Sequence, residues 1–207
     1  MSNDESAGPP PVPAGRLVLV RHGETEWSRT GQHTGLTDLP LLEQGEQDAR
    51  AVRPVLEEFT FVHVRCSLLQ RARHTAELAG LHVDATDEDL REWDYGAYEG
   101  VTTAQIREEL GYPWTVFEHG VAPGKTPGET VEEVAARASR VLREVWAHLY
   151  EGDVALVGHG HALRILTGVY LRSEPRFGRN LEFATGSVCV LGHHHEDPVI
   201  QAWSRRR

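Results

Sequence analysis

At 207 residues, 40% hydrophobic and 25% charged, the chain has the size and composition of an ordinary globular domain able to bury a sizeable core. Its net charge of -10 argues against a nucleic-acid or anionic-membrane partner, although a local group of arginines can still hold a small phosphorylated metabolite. Two cysteines, Cys66 and Cys189, are too few for a disulfide framework and suit a reducing cytosol.

Residues 1–15 hold Asp4, Glu5 and four prolines, without the basic start and apolar core of a signal peptide. No segment approaches the roughly 20 apolar residues that span a bilayer. These residues are expected to be a disordered leader on a cytoplasmic chain. Leu17, Val18, Leu19 and Val20 form a continuous apolar run that predicts a strand buried on both faces. The run stops at Arg21, His22 and Gly23, which puts a cation and an imidazole at a sheet mouth, where open α/β sheets bind ligands. Gly23 is expected to let the backbone turn sharply and approach a ligand.

Residues 25–40 predict a loop over that mouth. Residues 42–59 predict a helix interrupted at Pro54, 61–66 a second strand, and 68–80 a helix that closes a βα unit. A short strand is expected at 82–84, before the acidic Asp87, Glu88 and Asp89. Residues 90–100 predict a shaped loop and 102–110 a short helix. Between 111 and 128, three prolines and four glycines flank Trp114 and Phe117, which suggests a lid or substrate wall. Thr130 with Glu133 fits a capping box, and Val131, Val134, Ala138, Val141, Leu142, Val145 and Leu149 make an amphipathic stripe. A buried strand at 154–157 leads into Gly158, His159, Gly160 and His161. A helix at 162–171, a late strand at 188–191 and a basic tail at 204–207 complete the reading. The alternation predicts an α/β three-layer sandwich over 16–203, a mostly parallel sheet with helices on both faces.

A fixed cation beside an imidazole points to chemistry on an anion, most simply a phosphoryl group. His22 can attack phosphorus and form a phosphohistidine, and Arg21 offers a planar fork for phosphate oxygens. Arg71 sits on the first turn of a helix after a strand, where backbone N–H groups also favour anions. His159 repeats the strand-end pattern and could stabilise charge that grows in the transition state. His159 with His161 lacks further ligands for a metal, and His193, His194 and His195 read as a solvated strand-end loop. Neither a metal nor a cofactor is expected.

Arg21-His22-Gly23-Glu24-Thr25-Glu26-Trp27 resembles the signature of the histidine phosphatase superfamily, which includes the cofactor-dependent phosphoglycerate mutases. The resemblance continues in order through 67–76, 90–100 and 157–164. It implies a phosphoglycerate mutase-like fold, His22 as nucleophile, and Arg21, Arg71 and His159 around the phosphoryl group. It implies Glu92 as the acid/base residue, with Trp93 and Tyr95 supplying apolar surroundings in which a carboxyl stays protonated; Asp94 and Glu99 are the rivals. It also implies Ser28, Thr34 and Gly35 as substrate contacts. Arg164 is either a structural ion pair or the partner of a second phosphate. Mutases of this type usually carry Arg-His-Tyr after the acid/base glutamate, whereas this chain has Trp93-Asp94-Tyr95. The resemblance is greatest to the sedoheptulose 1,7-bisphosphatase-like branch, so a phosphatase acting on a phosphorylated sugar is expected. A phosphoglycerate mutase and a catalytically idle phosphate-binding module are the alternatives, and a homodimer is allowed.

Overall fold

Strands apolar on both faces must feed two cores, because successive side chains point to opposite sides. In β1 (Leu17–Arg21), Leu17 and Leu19 enter one core while Val18 and Val20 enter the other. The computed structural model describes residues 12–206. Its further strands are β2 (Phe61–Ser67), β3 (Ala85–Asp87), β4 (Asp153–Gly158), β5 (Val188–His194) and β6 (Asp197–Arg205). They form one sheet in the order β3-β2-β4-β1-β5-β6. The first four strands of that order pair in parallel, and β5 runs antiparallel to both of its neighbours.

The helices are α1 (Glu26–Thr30), α2 (Glu43–Ala51), α3 (Arg53–Leu56), α4 (Gln70–Leu78), α5 (Thr103–Leu110), α6 (Val116–His119), α7 (Val131–Val145) and α8 (Gly160–Tyr170). Val141 and Leu142 of α7 and Leu163 and Leu166 of α8 pack with Leu17, Leu19 and Leu156 on one face. Val55 and Leu56 of α3 and Ala72 and Ala76 of α4 pack with Val18, Val20 and Val157 on the other. This is the expected three-layer α/β arrangement. A third cluster, with Trp93, Trp114, Phe117 and Ile165, anchors the 111–128 excursion. The α7 capping box forms as expected: Thr130 Oγ1 accepts from the Glu133 amide, and the Glu133 carboxylate accepts from the Thr130 amide. Such a cap contributes about 1 kcal/mol.

Several elements differ from expectation. The 25–40 segment contains α1, because Thr25 and Ser28 form a reciprocal cap and Gly31 ends the helix in the left-handed region at φ 78°. Residues 42–59 split at Val52, with Pro54 in the first turn of α3, where its missing N–H costs nothing. The short strand lies at Ala85–Asp87 rather than 82–84, held at the sheet edge by pairing with Arg65–Ser67 and by the Asp87–Arg65 ion pair at 2.9 Å. The tail begins inside β6: Ser204 and Arg205 are strand residues, and Arg205 meets Glu58 at 2.7 Å. Of the leader, residues 1–11 lie outside the described residues, while the Gly15 amide donates to Leu149 O at 2.9 Å. Gly23 serves a close approach of a different kind, since a Cβ there would stand 2.1 Å from Gly45 O. The His193–His195 run sits at the β5–β6 hairpin, with the His193 ring against Trp146 and Tyr170. Among the described residues no helix is long and apolar enough to cross a membrane.

Candidate active site

The parallel register pairs Arg21 with Gly158, so β1 and β4 release His22 and His159 side by side at the same sheet edge. Their ring centroids are 5.1 Å apart. His22 is 4% exposed, and its Nδ1 lies 2.7 Å from Gly23 O. A carbonyl only accepts, so Nδ1 carries the proton and Nε2 keeps the lone pair. Thr75 Oγ1, itself donating to Arg71 O, accepts from the Gly23 amide at 3.0 Å and fixes this turn. Arg21 donates through Nη1 to Phe183 O. Its Nε is buried and has no acceptor among the described residues, a donor of the kind that calls for an explanation at a functional site.

Arg71 and His159 stand one layer behind. Arg71 is fully buried; its Nε donates to His159 Nδ1 at 3.2 Å, and its Nη atoms donate to Thr37 O at 2.8 Å and Gly35 O at 2.9 Å. With Nδ1 accepting, neutral His159 donates from Nε2 to Ser67 Oγ, 2.8 Å away. The expected clamp is thus arranged differently: Arg71 braces the 34–37 loop and orients His159, and Arg21 is the guanidinium that lines the cavity.

Glu92 is 5% exposed, in surroundings unlike the expected apolar ones. Oε1 accepts from the amides of Trp93 at 2.9 Å and Ala162 at 2.8 Å, and Oε2 from the His161 amide at 3.0 Å. The carboxyl therefore sits on the N-terminus of α8. Oε1 has both lone pairs occupied while Oε2 has one left. The two rivals are engaged elsewhere: Asp94 accepts from Gly96 and Thr126, and Glu99 from the Gly35 and Thr37 amides.

Arg21, His22, Ser28, Thr34 and Glu92 line a cavity of about 250 Å³. Gly35 lies just behind it, where a Cβ would stand 2.5 Å from Trp93 O. Arg164 lies in an adjoining cavity of about 390 Å³ with Arg107 and Arg179, and the two cavities share His33, Thr103 and His161. Arg164 donates to the carbonyls of Gly178 and Arg179 and covers the Phe117 ring, so it has a structural role, with no acidic partner among the described residues. A larger cavity, about 630 Å³, opens beside Trp27, Glu99 and Lys125 and contains none of the groups around His22.

Burial, then Arg71 and Arg21, push His22 well below the ordinary histidine range. Burial and Arg71 do the same to His159, and burial brings His33 down to about 4. Folded, these rings stay neutral where the unfolded chain protonates near pH 6.5. The unfolded state then binds more protons, and stability falls as pH drops below 6.5, by up to about 1.4 kcal/mol per pH unit and ring. Thermal melting from pH 7.5 to 5 is expected to show a flat Tm above 6.5 and a decline below it.

Residues 17–206 match the family model for the histidine phosphatase superfamily, branch 1. The chain belongs to the histidine phosphatase superfamily. It is 38% identical to an acid phosphatase of Mycobacterium tuberculosis over 182 residues, covering 87% of each chain. It is 36% identical to a sedoheptulose 1,7-bisphosphatase of Saccharomyces cerevisiae, covering 75% of this chain and 67% of that one. A solved structure of a Mycobacterium tuberculosis open reading frame product superposes with a TM-score of 0.87 at 35% identity, over 93% of this chain and 98% of the other. Relatives also include a 2,3-bisphosphoglycerate-dependent phosphoglycerate mutase of Cytophaga hutchinsonii, 31% identical over 83% of this chain and 84% of that one.

Within this histidine phosphatase framework, several supporting residues escape a sequence reading. Ser67 and Thr75 lie inside the 67–76 motif, but hydroxyls there look like ordinary polar residues. Arg137, 2% exposed, joins Glu129 to the carbonyls of Asp89 and Arg91 and so braces the segment that carries Glu92. Gly160 is needed for a close approach: a Cβ would lie 3.0 Å from Arg21 Cζ. Gly160→Ala is expected to displace the guanidinium and lower kcat/KM on p-nitrophenyl phosphate by up to about 10²-fold, the cost of a misplacement of about 1 Å. An unchanged melting temperature would show that the fold is kept.

Proposed function

We propose that this chain hydrolyses phosphomonoesters through a phosphohistidine on His22. The observation that carries the reading is the pairing of a His22 Nε2 lone pair with the unpartnered Arg21 Nε at one cavity. Arg21 holds the phosphoryl oxygens while Nε2 attacks in line. The P–N bond forms as the P–O bond to the alcohol breaks, and Glu92 Oε2 gives its proton to the departing oxygen. Glu92 then takes a proton from water, whose oxygen attacks phosphorus and returns Nε2. His159, oriented by Arg71, adds a neutral imidazole beside the reacting ring, and exchange of its Nε2–H from Ser67 to a phosphoryl oxygen would stabilise the transition state.

One observation favours a phosphatase over a mutase, and a second bears on the substrate. Trp93 stands where mutases of this type carry arginine, and its ring is fully buried, donating to Glu129 O. In the adjoining cavity Arg179 is ion-paired with Glu118, which leaves Arg107 and Arg164 to meet a second anionic group at the far end of a bisphosphate. The test is phosphate release from a panel of sugar mono- and bisphosphates, with 3-phosphoglycerate and p-nitrophenyl phosphate included. Preference for a sugar phosphate supports the reading. Isomerisation of 3-phosphoglycerate without release makes the chain a mutase, and binding without turnover makes it an idle module.

A further inference from the structure

His161 is absorbed by none of the roles above, yet it stands where they meet. Its amide donates to Glu92 Oε2 at 3.0 Å, and its ring lines both the His22 cavity and the arginine-lined one. An alcohol whose oxygen takes a proton from Oε2 must therefore leave past this imidazole.

The ring's hydrogen bonds fix which face it shows. Tyr95 is 2% exposed, and its hydroxyl lies 2.6 Å from His161 Nδ1, its only hydrogen-bonding partner among the described residues. If Nδ1–H donated to the phenol, the buried phenolic proton would have no acceptor, at a cost of about 1–3 kcal/mol. With Tyr95 O–H donating, the buried phenol and Nδ1 are both satisfied, and the imidazole proton moves to Nε2, on a residue that lines the cavity. Burial first, then Glu92, raises the phenol well above its usual range, so it keeps its proton. Nε2 has no hydrogen-bonding partner among the described residues. Around the ring stand the aromatic faces of Trp93 and Phe117, with centroids at 6.2 and 5.3 Å. A single neutral donor beside aromatic rings, on a residue shared by the two cavities, suits a hydroxyl of the carbon chain that would run between them.

Building on the phosphatase reading above, we propose that His161 is a specificity-determining residue, donating Nε2–H to a hydroxyl of a polyol leaving group, with Tyr95 as the positioning residue that fixes its tautomer. The test compares kcat/KM of wild type, His161→Phe, His161→Gln and Tyr95→Phe on two substrates. One is the best polyol phosphate of the panel, and the other is p-nitrophenyl phosphate, whose leaving group has no such hydroxyl. His161→Phe is expected to lose at least tenfold more activity on the polyol ester than on the aryl ester, the scale set when a site's donor for a substrate hydroxyl is removed. His161→Gln, which keeps a donor, is expected to recover part of that difference. Tyr95→Phe is expected to lose in the same direction by a smaller factor, mainly through KM. Equal losses on both esters, in a wild type that turns over both, would overturn the proposal and leave the phosphatase reading intact. Turnover of the aryl ester alone by the wild type would overturn the proposal and leave the phosphatase reading, whereas turnover of neither ester would overturn both.

Discussion

His22→Ala is expected to lower kcat by about 10⁴- to 10⁶-fold, the range seen when a covalent nucleophile is removed. The effect should be confined to chemistry. His22 contributes its ring to the cavity, whereas the turn is held by main-chain bonds from the His22 amide to Gly158 O at 3.0 Å and from the Gly186 amide to His22 O at 2.9 Å. Both survive truncation to Cβ. Stability should rise slightly at acidic pH, because one buried neutral ring no longer resists protonation of the unfolded chain. Steady-state kinetics with p-nitrophenyl phosphate, paired with melting curves at pH 5.5 and 7.5, measures both effects. Substantial residual turnover at the same site would mean that another group attacks phosphorus.

Glu92→Gln carries the second large effect and divides by leaving group. With a sugar alcohol, loss of the acid should cost about 10²- to 10⁴-fold. With p-nitrophenolate, which departs without a proton, formation of the phosphoenzyme should be slowed far less. Hydrolysis of the phosphoenzyme still needs the base, so phosphoenzyme should accumulate after a burst of p-nitrophenol. The variant should also be less stable by about 1–3 kcal/mol. Both carboxylate oxygens accept backbone N–H groups, and an amide NH2 in either place faces a donor. Rapid-mixing kinetics with both esters checks the division; equal slowing of both first steps would remove Glu92 from the proton-transfer role.

What could be read in the sequence was local. The strand ends at Arg21–His22 and Gly158–His159 are visible because an apolar run stops at a charged or imidazole residue, and burial of both faces makes the runs continuous. The relation between those ends is set by the Arg21–Gly158 register, which no local signal carries. β6 was missed because it is a half-buried edge strand without clean alternation, with irregular pairing near Val190. For Glu92, Trp93 and Tyr95 suggested an apolar setting. The chain instead turns the Trp93 ring into the third core and presents the carboxyl to α8, 70 positions away at Ala162. Arg71 was located, but its partners, the carbonyls of Gly35 and Thr37, come from a loop whose path depends on Glu99 holding the amides of the same two residues. The Tyr95–His161 pair is likewise a contact across 66 positions.

If phosphorus passes through His22 Nε2, the phosphohistidine can be trapped. Glu92→Gln protein would be mixed with p-nitrophenyl phosphate, quenched in alkali to preserve phosphohistidine, digested and mapped by mass spectrometry. Close to one phosphoryl group per chain is expected, located on His22 and absent from His22→Ala protein treated in the same way. Phosphate on another residue, or turnover by the wild type with no trapped phosphoenzyme in the variant, would mean that His22 is not the nucleophile.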